Sequence, residues 1–159
     1  MSHNNVSWKE YCNLIKELSE MIEKDRNINN FDQILCLARG GMPLGDALNR
    51  IFDIPLAVLF ASSYKINKKQ DNLVIDNQIA KQNNQLGKRI LLVDDLVDTG
   101  NTLKGVAEFL KTNHNVEYIK TAVIWRKTNS LVSPDYYVRV SPHFEWIIQP
   151  FEIFETLKK

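Results

Sequence analysis

Thirteen residues, Ile90 to Thr102, hold most of the chemistry that this chain could do. Four apolar residues, Ile90-Leu91-Leu92-Val93, lead to two adjacent carboxylates, Asp94 and Asp95, and a third acid, Asp98, follows Leu96-Val97. Thr99-Gly100-Asn101-Thr102 then supplies hydroxyls, a glycine that lets backbone approach a ligand, and the open N–H groups of a helix start. Capping a helix needs only one such side chain. Three acids within five positions at the end of a buried strand repel one another, so the pattern asks for cationic or hydroxyl-bearing ligands, such as Mg²⁺ and ribose, beside a phosphate.

A second candidate lies upstream. The apolar run Ile34-Leu35-Cys36-Leu37 ends at Ala38-Arg39-Gly40-Gly41, where a guanidinium fork beside free backbone N–H groups suits a diphosphate. His3, His114 and His143 have no Cys, Asp or Glu at ligand spacing, so no zinc site is expected. Cys12 and Cys36 lack metal-type spacing and fall in apolar patterns, which predicts buried free thiols. Neither G-x-x-x-x-G-K-[ST] nor G-x-G-x-x-G occurs.

These residues need a scaffold, and periodicity predicts one. Ser7-Trp8-Lys9-Glu10 is a capping box, and Tyr11, Leu14, Ile15, Leu18, Met21 and Ile22 recur at helical spacing, giving an amphipathic helix that covers a sheet. Past the polar, Asn-rich Lys24 to Asp32 comes the strand Ile34 to Leu37. Pro43 opens a helix striped by Leu44, Ala47, Leu48 and Ile51, and Pro55 to Ala61 is another buried strand. Ser62 to Gln85, rich in Asn, Gln, Lys and Asp and anchored by Leu73, Val74, Ile75 and Ile79, predicts a mobile excursion or a small hairpin. Arg89 to Val93 is the strongest strand signal; a helix over Thr102 to Leu110 and a strand over Tyr118 to Trp125 follow, then β pieces at Tyr136 to Val140 and Trp146 to Ile148. Alternating strand and helix predicts one α/β domain over residues 1–159, with a mainly parallel central sheet flanked by helices.

Composition bounds the function. At 159 residues and 44% apolar content the chain can bury one core, with no room for a second full domain. Twenty Lys and Arg nearly balance nineteen Asp and Glu, so no basic field exists to draw in nucleic acid, and a charged substrate must be held by local features. Met1 to Trp8 lacks a basic flank and an apolar h-region, and no apolar run could span a bilayer, which predicts a cytoplasmic protein without a transmembrane segment.

The stretch Ile90 to Thr102 resembles the phosphoribosyl pyrophosphate (PRPP) motif of the type I phosphoribosyltransferases: four apolar residues, two acids, then an acid-Thr-Gly-x-Thr loop. The resemblance runs from about Ile34 to Glu152. It implies that family's fold, with a flexible hood loop over 62–86 and a small C-terminal base-binding hood over 127–159. It also implies that Asp94 and Asp95 bind the ribose hydroxyls directly or through Mg²⁺, while Asp98, Thr99, Gly100, Asn101 and Thr102 wrap the 5′-phosphate. Adenine and orotate members usually carry Ala where this chain has Asp98. A 6-oxopurine attacking through N9 must lose its N7 or N9 proton, and a carboxylate beside N7 makes Asp98 the expected general base.

Leu37-Ala38-Arg39-Gly40-Gly41 resembles the pyrophosphate loop of the bacterial xanthine-guanine enzymes, where Ser-Arg-Gly-Gly is usual, which implies that Arg39, Gly40 and Gly41 hold pyrophosphate. Lys127 resembles the lysine that donates to purine O6, and Trp146-Ile147 the pair that stacks on the base and offers a backbone carbonyl to position 2. Ser62-Ser63-Tyr64 resembles the start of the hood. The relatives carry an arginine some six residues past that tyrosine; here the position is Gln70, leaving Lys68 or Lys69 to reach pyrophosphate. Asp135-Tyr136-Tyr137-Val138 is expected in the wall below the base.

The expected function is Mg²⁺-dependent transfer of ribose 5-phosphate from PRPP to guanine, xanthine or hypoxanthine, the choice among them left open, by a homodimer or homotetramer that does not bind nucleic acid. The alternative is a PRPP-sensing regulator with the same fold and little catalysis. It would need a nucleic-acid surface, and the length leaves no room for a helix-turn-helix domain. A flavin mononucleotide carrier, suggested by Thr99 to Thr102, fails because its phosphate loop would follow the first strand without an acid pair before it.

Overall fold

The computed structural model describes residues 2–25, 30–66 and 70–157, apart from the side chains of 64–66, 70 and 71. The elements run β1 (Ser2–Asn5), α1 (Trp8–Lys24), β2 (Gln33–Ala38), α2 (Met42–Phe52), β3 (Leu56–Ile66), β4 (Gln70–Lys81), β5 (Arg89–Val93), β6 (Leu96–Val97), α3 (Asn101–His114), β7 (Tyr118–Lys127), β8 (Tyr136–Ser141) and β9 (Glu145–Ile148), and a 3₁₀ helix, Pro150–Leu157, follows. The main sheet has the order β4-β3-β2-β5-β7, with β6 and β8 also pairing β7. Every pairing is parallel except β3 with β4.

The central strands are apolar at nearly every position because both faces are covered. Ile34, Cys36, Leu91 and Val93 pack with Leu18, Ile22, Leu44 and Leu48 of α1 and α2. Their neighbours Leu35, Leu37, Ile90 and Leu92 pack on the other face with Leu103, Val106 and Leu110 of α3. Consecutive residues thus enter opposite core layers, as the strand period of two requires. α2 approaches β2 so closely that a Cβ on Gly45 would lie 2.5 Å from the Cys36 Cβ. Burial pushes the Cys36 thiol up to about 12, which makes it an inert core group. Cys12 corrects the sequence expectation: it is exposed, because the residue after buried Tyr11 turns about 100° off the apolar stripe of α1. Met21 and Ile51, also assigned to stripes, are exposed as well.

The capping box forms as expected on its first half, with Glu10 N donating to Ser7 Oγ at 3.1 Å. The polar excursion is an antiparallel hairpin that lengthens the sheet, with a register shift between Leu59 and Ala61. Its apolar anchors explain this order. Ile75 and Ile79 pack into the α3 core layer, and Leu73 lies where a Cβ on Gly105 of α3 would stand, 2.2 Å away.

One element had no signal in the sequence. β1 pairs in parallel with β9, His3 beside Trp146, and Val6 N donates to Ile148 O at 3.0 Å. Its four polar residues show no alternation because this two-stranded sheet exposes most of its positions. The C-terminal segment is therefore divided: β8 completes the main sheet, and β9 is held by the other end of the described chain. Among the described residues no helix is long and apolar enough to cross a membrane.

Candidate active site

β5 and β6 are one strand interrupted by the acid pair. Val93 pairs with Ala122 and Leu96 with Trp125, an unchanged offset along β7. Between them Asp94 N donates to Ala122 O at 3.1 Å, and Asp95 O accepts from Ile124 N and Trp125 N at 3.0 and 3.2 Å. The side chains are held as firmly. One Asp94 carboxylate oxygen accepts from Asp95 N at 2.9 Å, and one Asp95 oxygen from Leu96 N at 2.8 Å. Burial, and then the charge of Asp95, hold Asp94 well above the usual carboxylate range; burial also raises Asp95, with Glu152 adding to it. Carboxylates whose ionisation is resisted in this way gain from an added cation.

Two cavities meet at this pair. The first, about 750 Å³, is lined by Arg39, Gly40, Ser62, Asp76 and the two acids. The second, about 380 Å³, is lined by Asp98, Thr99, Gly100, Thr102 and the same two acids. Glycine makes the first arrangement possible: a Cβ on Gly40 would sit 2.9 Å from the Asp95 carboxylate, and one on Gly41 2.7 Å from Leu37 O. The Ala38–Arg39 peptide between β2 and these glycines is cis. In the second cavity Gly100, at φ 92°, caps α3 without a side-chain hydrogen bond, and such a helix start offers its amides to an anion. Gly41 and Asn101 line neither cavity; Gly41 packs against the β2 and β5 backbone, and Asn101 N donates to Thr99 Oγ1 at 3.4 Å.

The expected base-binding residues gather beyond the acid loop, outside both cavities. Lys127, 6% exposed at the end of β7, donates to Ser141 Oγ at 3.1 Å, to Pro142 O at 3.3 Å and to Glu145 O. Burial lowers its pKa, while the charges of Glu145 and Asp98 oppose that fall, so Asp98 and Lys127 sit within electrostatic reach of each other. Trp146 follows Glu145 and is 56% exposed, whereas Ile147 is 4% exposed and packs in the core. The indole has an open face for stacking, and Ile147 can serve a ligand only through its backbone.

Asp135 does not wall this region. It binds Lys120 and Thr121 near the start of β7, roughly 20 Å of strand from Lys127 at its end. Lys68 and Lys69 lie outside the described residues, as do the side chains of Tyr64 and Gln70.

Three contributors escaped the sequence reading. Tyr11, read as a core residue, is buried within electrostatic reach of both acids: burial first, then the charges of Asp95, Cys12 and Asp94, raise its pKa. Glu152 adds negative charge beside Asp95. Glu155 accepts from Arg39 at 3.3 Å, the two side chains 48% and 78% exposed. Gln149-Pro150-Phe151-Glu152 agrees with the family pattern after Trp146 but gives Glu152 no role beside Asp95, and Glu155 lies in no motif.

Among the described residues no cluster of three or more His, Cys, Asp and Glu could cage a metal. Asp94 and Asp95 instead fit an ion that takes its remaining ligands from water and substrate oxygens, which is how Mg²⁺ is usually bound.

Residues 7–155 match the family model described as phosphoribosyl transferase domain. A purine phosphoribosyltransferase from Pyrococcus horikoshii superposes with a TM-score of 0.77 at 32% identity, covering 95% of each chain. The xanthine-guanine-hypoxanthine phosphoribosyltransferase of Helicobacter pylori gives 0.81 at 26% identity over 98% of this chain and 97% of that one. Xanthine-guanine phosphoribosyltransferase of Idiomarina loihiensis is 27% identical over 149 residues, 93% of this chain and 86% of the relative. Matches to HGPRTase-like proteins are more partial, the chain spanning 53 to 70% of their length.

Proposed function

The chain belongs to the phosphoribosyl transferase domain family, and from that premise we propose that it joins a 6-oxopurine (guanine, xanthine or hypoxanthine) to the ribose 5-phosphate of PRPP, releasing pyrophosphate. The observation that carries the reading is the acid pair standing as the common wall of two anion-suited cavities. A sugar spanning that wall would place its 5′-phosphate on Thr99 to Thr102 and its diphosphate beside Arg39 and Gly40, with its hydroxyls against Asp94 and Asp95. The same two acids would hold Mg²⁺, which when bound would supply positive charge to offset that of a pyrophosphate leaving group. The C1–oxygen bond to pyrophosphate breaks, the C1–N9 bond forms, and the proton leaving the purine passes to Asp98. Because the nucleophile is an ordinary ring nitrogen, most of the rate comes from holding it in line. Lys127 would mark the 6-oxo group and Trp146 would stack. The relatives' names support 6-oxopurines as the substrate class. A homodimer or homotetramer in the cytoplasm belongs to the same proposal and rests on the family resemblance.

The test is a spectrophotometric assay of the three 6-oxopurines and adenine with PRPP and Mg²⁺. Turnover of at least one 6-oxopurine well above adenine is expected, and reaction with adenine alone would refute the reading. A second expectation concerns the tail. Glu155 competes with pyrophosphate for Arg39, and an exposed pair of this kind contributes about 0–1 kcal/mol, so Glu155→Gln should tighten PRPP binding by up to about fivefold in calorimetry.

A further inference from the structure

The proposed reaction needs a donor from Lys127, and the ammonium's three donors are already matched by three acceptors. A lysine ammonium has three N–H groups and no acceptor, and here three acceptors surround it: Ser141 Oγ, Pro142 O and Glu145 O. To donate to a purine oxygen, the ammonium must exchange one of these bonds.

The surroundings show which bond and at what cost. Pro142 O is the longest contact, at 3.3 Å, and it also lies 3.3 Å from the Ser141 hydroxyl, so it keeps a donor within reach if Lys127 leaves. Ser141 Oγ, almost fully buried, accepts from Lys127 and lies 2.8 Å from Glu145 Oε2, to which it donates. A charge relay thus runs from ammonium through hydroxyl to carboxylate. Glu145 is only half-buried, so water can serve its carboxylate whenever the Ser141 proton turns to Pro142. Glu145 and Asp98 are the charged groups that face Lys127, both negative, and they oppose the desolvation that burial imposes.

Resting on the base-reading role given to Lys127 above, we propose that Ser141 and Glu145 are positioning residues that keep Lys127 charged in its buried socket and hold one of its N–H groups exchangeable for the 6-oxo oxygen of the purine.

The primary variant is Glu145→Gln, which keeps the shape of a partly solvated side chain and removes its charge; Ser141→Ala is the second. For Glu145→Gln, the KM for the 6-oxopurine is expected to rise roughly three- to tenfold, the loss of one charge-assisted partner. The KM for PRPP should stay within twofold, because Glu145 lines neither cavity. The alkaline limb of kcat/KM for the base should move to lower pH, together with the Lys127 titration followed by NMR of ¹⁵N-lysine-labelled protein. Ser141→Ala should reproduce the base-selective KM rise. An equal rise in both KM values, or an unmoved Lys127 titration in Glu145→Gln, overturns the proposal. Lys127→Met separates the layers: if it leaves the base KM unchanged, the base-reading role fails and this proposal with it, while PRPP binding still stands on the acid pair.

Discussion

Asp98→Ala should bind PRPP as tightly as the wild-type protein and lose roughly 10²- to 10⁴-fold in turnover, the usual contribution of a positioned general base. The carboxylate is exposed on the wall of the smaller cavity, between the acid pair and the helix start. From there it faces the region of Lys127, whose ammonium feels its charge. Nothing in that position requires Asp98 to hold phosphate, a task for which Thr99, Thr102 and the α3 amides are better suited by charge. Binding and turnover should therefore separate. Calorimetry with PRPP and a single-turnover assay with guanine or hypoxanthine measure the two independently. A variant that turns over normally would remove Asp98 from proton transfer. One whose PRPP affinity falls in proportion to turnover would make it part of the phosphate cradle instead.

Asp94→Asn combined with Asp95→Asn should all but abolish PRPP uptake while raising thermal stability. Each acid offers a charged acceptor to a ribose hydroxyl or the metal, and losing such partners costs roughly 1.5–3 kcal/mol each, on the order of 10²- to 10⁴-fold together. The stability gain follows from the sign of the pKa shifts. Both acids are raised above their ordinary value of 3.8 in the folded protein, by burial first. Folding therefore favours their protonated forms, so their presence costs no stability below that value, and the cost grows as pH climbs through the folded pKa. Asparagine never ionises and escapes it. In metal-free buffer near pH 7 the double variant should unfold at a higher temperature than wild type, by about 2–4 °C for each kcal/mol relieved. The gap should close as pH falls toward 4. A variant that is less stable at pH 7 would show that the pair is structural.

The division between what sequence could and could not disclose has physical causes. Buried strands such as β2 and β5 are continuous apolar runs, and acids, hydroxyls and glycine break that pattern where the loops begin, so the strands and the loops that follow them at Ile34 to Gly41 and Ile90 to Thr102 were legible in the sequence. The family model over residues 7–155 agrees with that reading. Contacts made across the fold were not legible. Arg39 with Glu155 and Lys127 with Ser141 join residues 116 and 14 positions apart, and no local period records such pairs. β1 was missed because an exposed two-stranded pairing leaves no apolar alternation, and Cys12 was misplaced because a helix stripe shades into solvent within one residue. Asp135 shows the converse error: the first residue of a motif-like segment binds Lys120 and Thr121 near the start of β7, away from Lys127 at its end.

The most direct test of the acid pair as a magnesium-assisted grip on PRPP is isothermal titration of PRPP into wild-type protein, with and without Mg²⁺, beside the Asp94→Asn, Asp95→Asn variant. Saturable heat that requires the metal and vanishes in the variant is the predicted result. Folded wild-type protein that takes up no PRPP under either condition, or a variant that binds it as well, would contradict the account.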